Sequence, residues 1–164
     1  HKMKAFVIGT SLCCLTGIAL AQEHTLTTYS PVHKPEYVDV NPPGPSVGDM
    51  YLRRGEISLS AGGPAAGEFY SVATIVYLDQ SNKKSTRSFS REVSFPEGTI
   101  YTTDFVETNN AEPIDGRIEH KHDGAIIGGT GAYAGIRGHY SLELLTSGED
   151  AGIYKTVYKY WLDQ

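Results

Sequence analysis

The sequence predicts an all-β domain, a sandwich or a barrel. Three observations predict it. From Gly48 onward apolar and polar residues alternate with a period of two. Turn residues punctuate that alternation at short, regular intervals. No window of about a dozen residues carries a helical 3.6-residue period. The 164 residues, 40% hydrophobic and 20% charged, suit one domain of ordinary size. Neither the repeats of a fibrous chain nor the charge excess of a disordered one is present.

Residues 1–21 have the pattern of a secretory signal peptide. A basic start, His1-Lys2-Met3-Lys4, precedes a charge-free run from Ala5 to Ala21. The run closes on Ala19-Leu20-Ala21, a small-x-small cleavage pattern. A run of about 17 residues sits at the lower limit for a membrane span, and its Thr and Ser content and the Ala-x-Ala end favour cleavage. A lipoprotein signal would need a small residue before the cysteine, where Leu12 and Cys13 stand. The expectation is a secreted or periplasmic protein, without membrane association after cleavage following Ala21.

Cleavage changes the charge and the chemistry. Loss of Lys2 and Lys4 leaves twelve Lys and Arg against nineteen Asp and Glu, a net charge of −7 in place of −5. An acidic domain offers nucleic acid and anionic membranes no electrostatic footing. Cys13 and Cys14 are the only cysteines and both leave with the leader. No disulfide, thiolate metal site or cysteine nucleophile is then expected.

Residues 22–35 read as a proline-containing extension. The stretch from Gln22 to Val47 carries Pro31, Pro35, Pro42, Pro43 and Pro45, and the pattern leaves room for at most a short strand over Glu36–Val40. Further strands are expected over Gly48–Ser60, Glu68–Leu78, Ser85–Phe95, Thr99–Val106, Glu119–Ile127, Arg137–Leu145 and Tyr154–Leu162. In Ser85–Phe95 one face collects Arg87, Phe89, Arg91, Val93 and Phe95, and the other is mostly serine. On Arg137–Leu145, Arg137, His139, Ser141 and Glu143 share one face, and Tyr140, Leu142 and Leu144 the other. A functional lumen would take the polar face inward; a filled barrel would take the apolar face. The last strand sets Tyr154, Tyr158 and Tyr160 on one side, suited to a cavity wall, a subunit contact or ordinary core.

The most distinctive segment runs from Ile126 to His139, with Gly128-Gly129-Thr130-Gly131 at its centre. A phosphate loop would need a helix opening after the glycines, and a strand-like segment follows instead. With Tyr133, Arg137 and Gly138 behind it, the turn resembles the dirigent pattern Gly-Gly-Thr-Gly-x-aromatic-x-x-x-Arg-Gly. Gly135 and Gly138 resemble the Gly-x-x-Gly of the allene oxide cyclases. Val38 to Asp49 looks like the entry segment of secreted bacterial members of that superfamily.

The resemblance implies an eight-stranded antiparallel β-barrel over residues 36–164. It implies a lumen that folds a small apolar or phenolic ligand into one conformer, and no metal or redox cofactor. It also implies a homo-oligomer, dimer or trimer. The activities it suggests are isomerisation, cyclisation or stereo-directed coupling. Plant-type fatty-acid cyclisation is not expected: Asp39-Val40-Asn41 is the nearest match to the cyclase Glu-x-Asn, and no mature cysteine matches the cyclase one.

Candidate catalytic residues are Arg137, at the spacing of the dirigent arginine, with Asp39 and Asp49 as its acidic partners in the lumen. Candidate ligand contacts are Asn41, Tyr51, Tyr133, His139, Glu143 and Tyr158. His120 and His122 share a strand face, yet two imidazoles alone fall short of a metal site. No Gly-x-Ser-x-Gly elbow occurs. Asp104 and Glu107 have opposite parity, which gives no support to a paired-carboxylate glycosidase. Two further readings stay open: a non-catalytic small-molecule carrier, and a structural or interaction module whose barrel is filled. The lumen discriminates among them.

Overall fold

A computed structural model describes residues 20–40, 42–108 and 121–163. The leader proposed for residues 1–21 lies almost wholly outside them. Nine strands follow one another: β1 (His24–Pro31), β2 (Glu36–Val38), β3 (Met50–Ser58), β4 (Ala65–Asp79), β5 (Lys84–Phe95), β6 (Gly98–Thr108), β7 (His122–Gly129), β8 (Ile136–Leu144) and β9 (Ile153–Leu162). Among the described residues the one helical element is a 3₁₀ turn, Gly131–Tyr133, at the glycine motif.

Every pairing is antiparallel, and the order is β1-β9-β8-β7-β6-β5-β4-β3-β2. A contact between Tyr29 of β1 and Ser58 of β3 closes eight of these strands into a barrel. β2 is the ninth, paired to β3 from Glu36↔Leu52 to Val38↔Met50. Closure removes the free sheet edges that would otherwise pair with another chain.

One finding departs from the sequence reading. The segment 22–35, expected as an extension, contains β1. Its eight residues pair with β9 from His24↔Tyr160 to Pro31↔Ile153. The inward residues of β1 include Thr28 and Ser30, small and polar. No alternation of large apolar side chains announces the strand. It is made by its partner rather than by its own pattern.

Side chains alternate between lumen and exterior on each strand. One end of the barrel is filled by Ile57, Val93, Phe95, Ile100, Ile126 and Ile136, with Tyr133 of the glycine turn packed on Phe95. Toward the other end the apolar group is smaller: Tyr51, Ala73, Ile75, Phe89 and Val106. Buried polar side chains gather at that second end.

Candidate functional site

The face of β5 that carries arginine with Phe and Val points inward. Ser85, Arg87, Phe89, Arg91, Val93 and Phe95 are all buried. A buried guanidinium needs compensation. Part of it comes from aromatic faces: Arg87 lies 4.0 Å from the Tyr51 ring centre and Arg91 4.5 Å from that of Phe69. Arg91 Nη1 also donates to Thr156 Oγ1 at 3.3 Å. Its Nε and Nη2 have no hydrogen-bond partner among the described residues. Burial draws the pKa values of Arg87 and Arg53 down.

On the neighbouring strands, Asp104 of β6 and His122 of β7 form a buried pair. His122 Nδ1 donates to Asp104 Oδ2. The two side chains are 3% and 8% exposed, so the pair is shielded from bulk water. Nδ1 is thereby fixed, and His122 Nε2 is left buried with no hydrogen-bond partner among the described residues. Phe89 meets the imidazole edge-on at 5.4 Å and Tyr140 at 6.3 Å. Gly124 makes this crowding feasible, since a Cβ there would stand 2.6 Å from the Tyr140 ring and 2.7 Å from Asp104 Cβ.

Tyr140 and Tyr158 complete the wall, their rings 6.1 Å apart. Burial first, then the Asp104 carboxylate, pushes the Tyr140 hydroxyl well above the usual phenol range. Burial raises Tyr158 and Tyr51 as well. All three phenols stay neutral at ordinary pH, with Tyr140 beside the Asp104 carboxylate and Tyr158 beside the Thr28 hydroxyl. The lumen therefore holds a surplus of donors, and one imidazole nitrogen aligned by a carboxylate. Such a set can hold a developing oxyanion and move one proton.

The sequence candidates divide. Tyr51 and Tyr158 line this lumen. Tyr133 is buried, but at the filled end, where it packs on Phe95 and Tyr160 and donates to Glu97 at 3.5 Å. Asn41 lies outside the described residues, as does His120. Among the described residues no three His, Cys, Asp or Glu come together as a metal site.

Arg137 is a correction. Its side chain is 74% exposed on the outer face of β8, where it pairs with Asp163 rather than with Asp39 or Asp49. His139 is exposed and Glu143 half-buried on the same outer face, opposite Lys159 and Lys155. β8 turns Ile136, Tyr140 and Leu142 inward because the narrow barrel needs their volume.

Asp39 and Asp49 hold loops. Exposed Asp39 accepts from the Gly44 backbone N–H at 2.9 Å. Fully buried Asp49 accepts from the Tyr37 hydroxyl at 2.5 Å, from the Val40 and Ser46 backbone at 3.1 and 2.8 Å, and from Ser46 Oγ at 3.0 Å. Burial works to raise its pKa, but those donors outweigh it and leave the carboxyl below its ordinary 3.8. The stability it contributes is complete above that unfolded value and drains as pH falls through the lower folded one. Asp49→Asn should therefore lessen the fall in urea midpoint between about pH 5 and about pH 3. An unchanged fall would show that other carboxylates carry the acid limb.

Asp104 and His122 were missed as a pair, although each is visible in the sequence. Asp104 shares parity with Ile100 and Val106, and His122 with Ile126. A charged residue on the apolar parity of a strand is the signal that would have found them, as it marks Arg87 and Arg91.

Solved structures with this architecture are known. Pyocyanin demethylase superposes with a TM-score of 0.61 at 21% identity, over 84% of this chain and 99% of that one. The Diels-Alderase AbmU from Streptomyces koyangensis gives 0.57 at 18%, over 90% of this chain and 71% of its own. The pterocarpan synthase dirigent protein PsPTS1 gives 0.56 at 15%, over 87% and 97%. The chain has the barrel fold of these proteins. The expected eight-stranded antiparallel barrel is thus shown, closed and with one added strand. No protein-family model matches the sequence, and no curated protein does.

Proposed function

We propose that this protein is an exported barrel that takes a small apolar or phenolic molecule into the polar half of its lumen. There it directs the molecule's cyclisation, isomerisation or coupling without a cofactor. The observation that carries the reading is the buried Asp104–His122 pair, with Nδ1 fixed by the carboxylate and Nε2 left for a ligand. Asp104 sets the tautomer, as an acid–base histidine requires. Arg91, Tyr140 and Tyr158 supply donors to an oxygen that gains charge. The aromatic walls restrict a flexible ligand to few conformers. A Diels-Alderase and a dirigent protein of the same fold support the reading. Export rests on the leader pattern alone; among the described residues no helix is long and apolar enough to cross a membrane.

A second reading has one observation in its favour. The space left beside Arg53, Phe69, Arg91 and Tyr154 is about 20 Å³, room for about one water. A filled barrel would then be a binding or structural module. β-Naphthol separates the two readings, because its excited state loses a proton readily when a base is in reach. The expected result is naphtholate emission from the bound probe, lost in His122→Phe with binding retained. No binding, or bound probe emitting only as neutral naphthol in the wild type, would favour the filled barrel.

The same reading includes self-association, as a dimer or trimer. Outer faces of β4, β6 and β7 expose Tyr70, Val72, Tyr101, Phe105 and Ile127, with Ser88, Ser90 and Glu92 of β5 between them. Phe105 is 72% exposed. A sheet face this apolar suits a second copy of the chain. Phe105→Glu is expected to shift the protein to monomer in size-exclusion chromatography with light scattering. A wild type that is already monomeric would remove this part of the proposal.

A further inference from the structure

Cleavage after Ala21 would do more than release a leader. It would make Gln22-Glu23-His24 the first three residues of the mature chain. A free α-amine with histidine in third place is a chelator in its own right. The amine, the backbone nitrogens of the second and third residues and the imidazole Nδ1 close three fused rings around one ion. They set four nitrogens in a plane, a geometry that suits Cu(II) and Ni(II). Neither Glu23 nor His24 is proline, so both backbone nitrogens carry the hydrogen that must be given up.

The structure leaves these residues able to wrap an ion. Leu20, Ala21, Gln22 and Glu23 are exposed and belong to no strand. His24 is the first residue of β1, and its pairing with Tyr160 is the outermost rung of the β1–β9 ladder. Terminal rungs open at little cost, so the His24 backbone nitrogen can leave the ladder. The half-buried imidazole stacks on the Tyr160 ring, with centres 5.2 Å and planes 21° apart. A stacked ring is held by its face, and its nitrogens lie at the rim, where a metal approaches.

We infer that export creates a Cu(II)- and Ni(II)-binding site at the amino terminus, made of the Gln22 α-amine, the Glu23 and His24 backbone nitrogens and His24 Nδ1. Binding releases the two backbone protons and, from the ammonium form, the amine proton, so it strengthens as pH rises. Zn(II) prefers a tetrahedral set and does not displace backbone protons, which leaves it only the amine and the imidazole. The inference rests on the export reading and is independent of the lumen chemistry. Tyr160 meets Tyr133 of the glycine turn at 6.2 Å, so the ion would sit at the filled end of the barrel rather than beside Asp104 and His122.

Protein exported through its own leader is the material for the test. Its intact mass should begin at Gln22 with the amine free, not closed onto the glutamine side chain with loss of ammonia. Titrated with Cu(II), it should take up one equivalent and show the violet visible band of a four-nitrogen plane. Ni(II) should give the yellow of the same plane, and Zn(II) should displace neither. His24→Ala should lose the violet band and keep the melting temperature of the metal-free wild type, because residue 24 ends its strand. A mature chain that begins elsewhere would end the cleavage reading and the site with it. A chain that begins at Gln22 but has its amine closed, shows no violet band, or keeps that band in His24→Ala would overturn the site alone and leave export standing.

Discussion

Replacing Asp104 with alanine is expected to cost about 3–5 kcal/mol of folding stability, the range found when one partner of a buried charged pair is removed. The size follows from where the pair lies. At the surface a His–Asp contact would be worth under about 1 kcal/mol, because water competes for both groups. Here the side chains are 8% and 3% exposed, so bulk water does not compete for the contact. Alanine also leaves a void beside Tyr140 and Phe89. The double variant Asp104→Ala/His122→Leu removes both polar partners together. It should be more stable than the sum of the single losses predicts, by about 1–3 kcal/mol. Urea unfolding of the wild type, both single variants and the double variant measures the coupling. Additive losses would mean that the imidazole and the carboxylate do not depend on each other.

Gly138→Ala is expected to be as damaging, about 3–5 kcal/mol. Gly138 has φ of +153°, which side chains other than hydrogen rarely allow. A Cβ there would stand 2.0 Å from the Lys159 carbonyl oxygen and 2.8 Å from Tyr160 Cα. Both are backbone atoms of β9, the strand that also carries β1. They cannot swing aside as a side-chain tip would. The barrel would have to open between β8 and β9, with loss of the Gly138↔Tyr160 register. Thermal unfolding reads the effect, and a melting temperature within about 2 °C of the wild type would refute it. The control is Arg137→Ala, one residue earlier and exposed, where a loss below about 1 kcal/mol is expected. The Arg-Gly end of the glycine motif then serves the fold through its glycine.

Much of the barrel is legible from local pattern. Phe89, Val93 and Phe95 alternating with serines can form only a half-buried strand, and the bounds of β5 and β8 match the expected ones within a residue at each end. The glycine run forces a tight turn before any partner is considered. β5 even announces its two lumen arginines, because they share parity with Phe and Val.

Three things needed the closed structure. β1 has Thr28 and Ser30 facing inward, so no hydrophobic period marks it, and only the free edge of β9 makes His24–Pro31 a strand. The inward face of β8 was open because both faces alternate equally well; the volume to be filled around Ile136, Tyr140 and Leu142 settles it and puts Arg137 in solvent. The meeting of Asp104 with His122 depends on the register across β6, β7 and β8, which spans residues far apart in sequence. Residue type and period fix which side chains share a face of a strand, since those are properties of neighbours along the chain. Which buried groups touch is a property of closure, where strand stagger sets distances that no single strand contains.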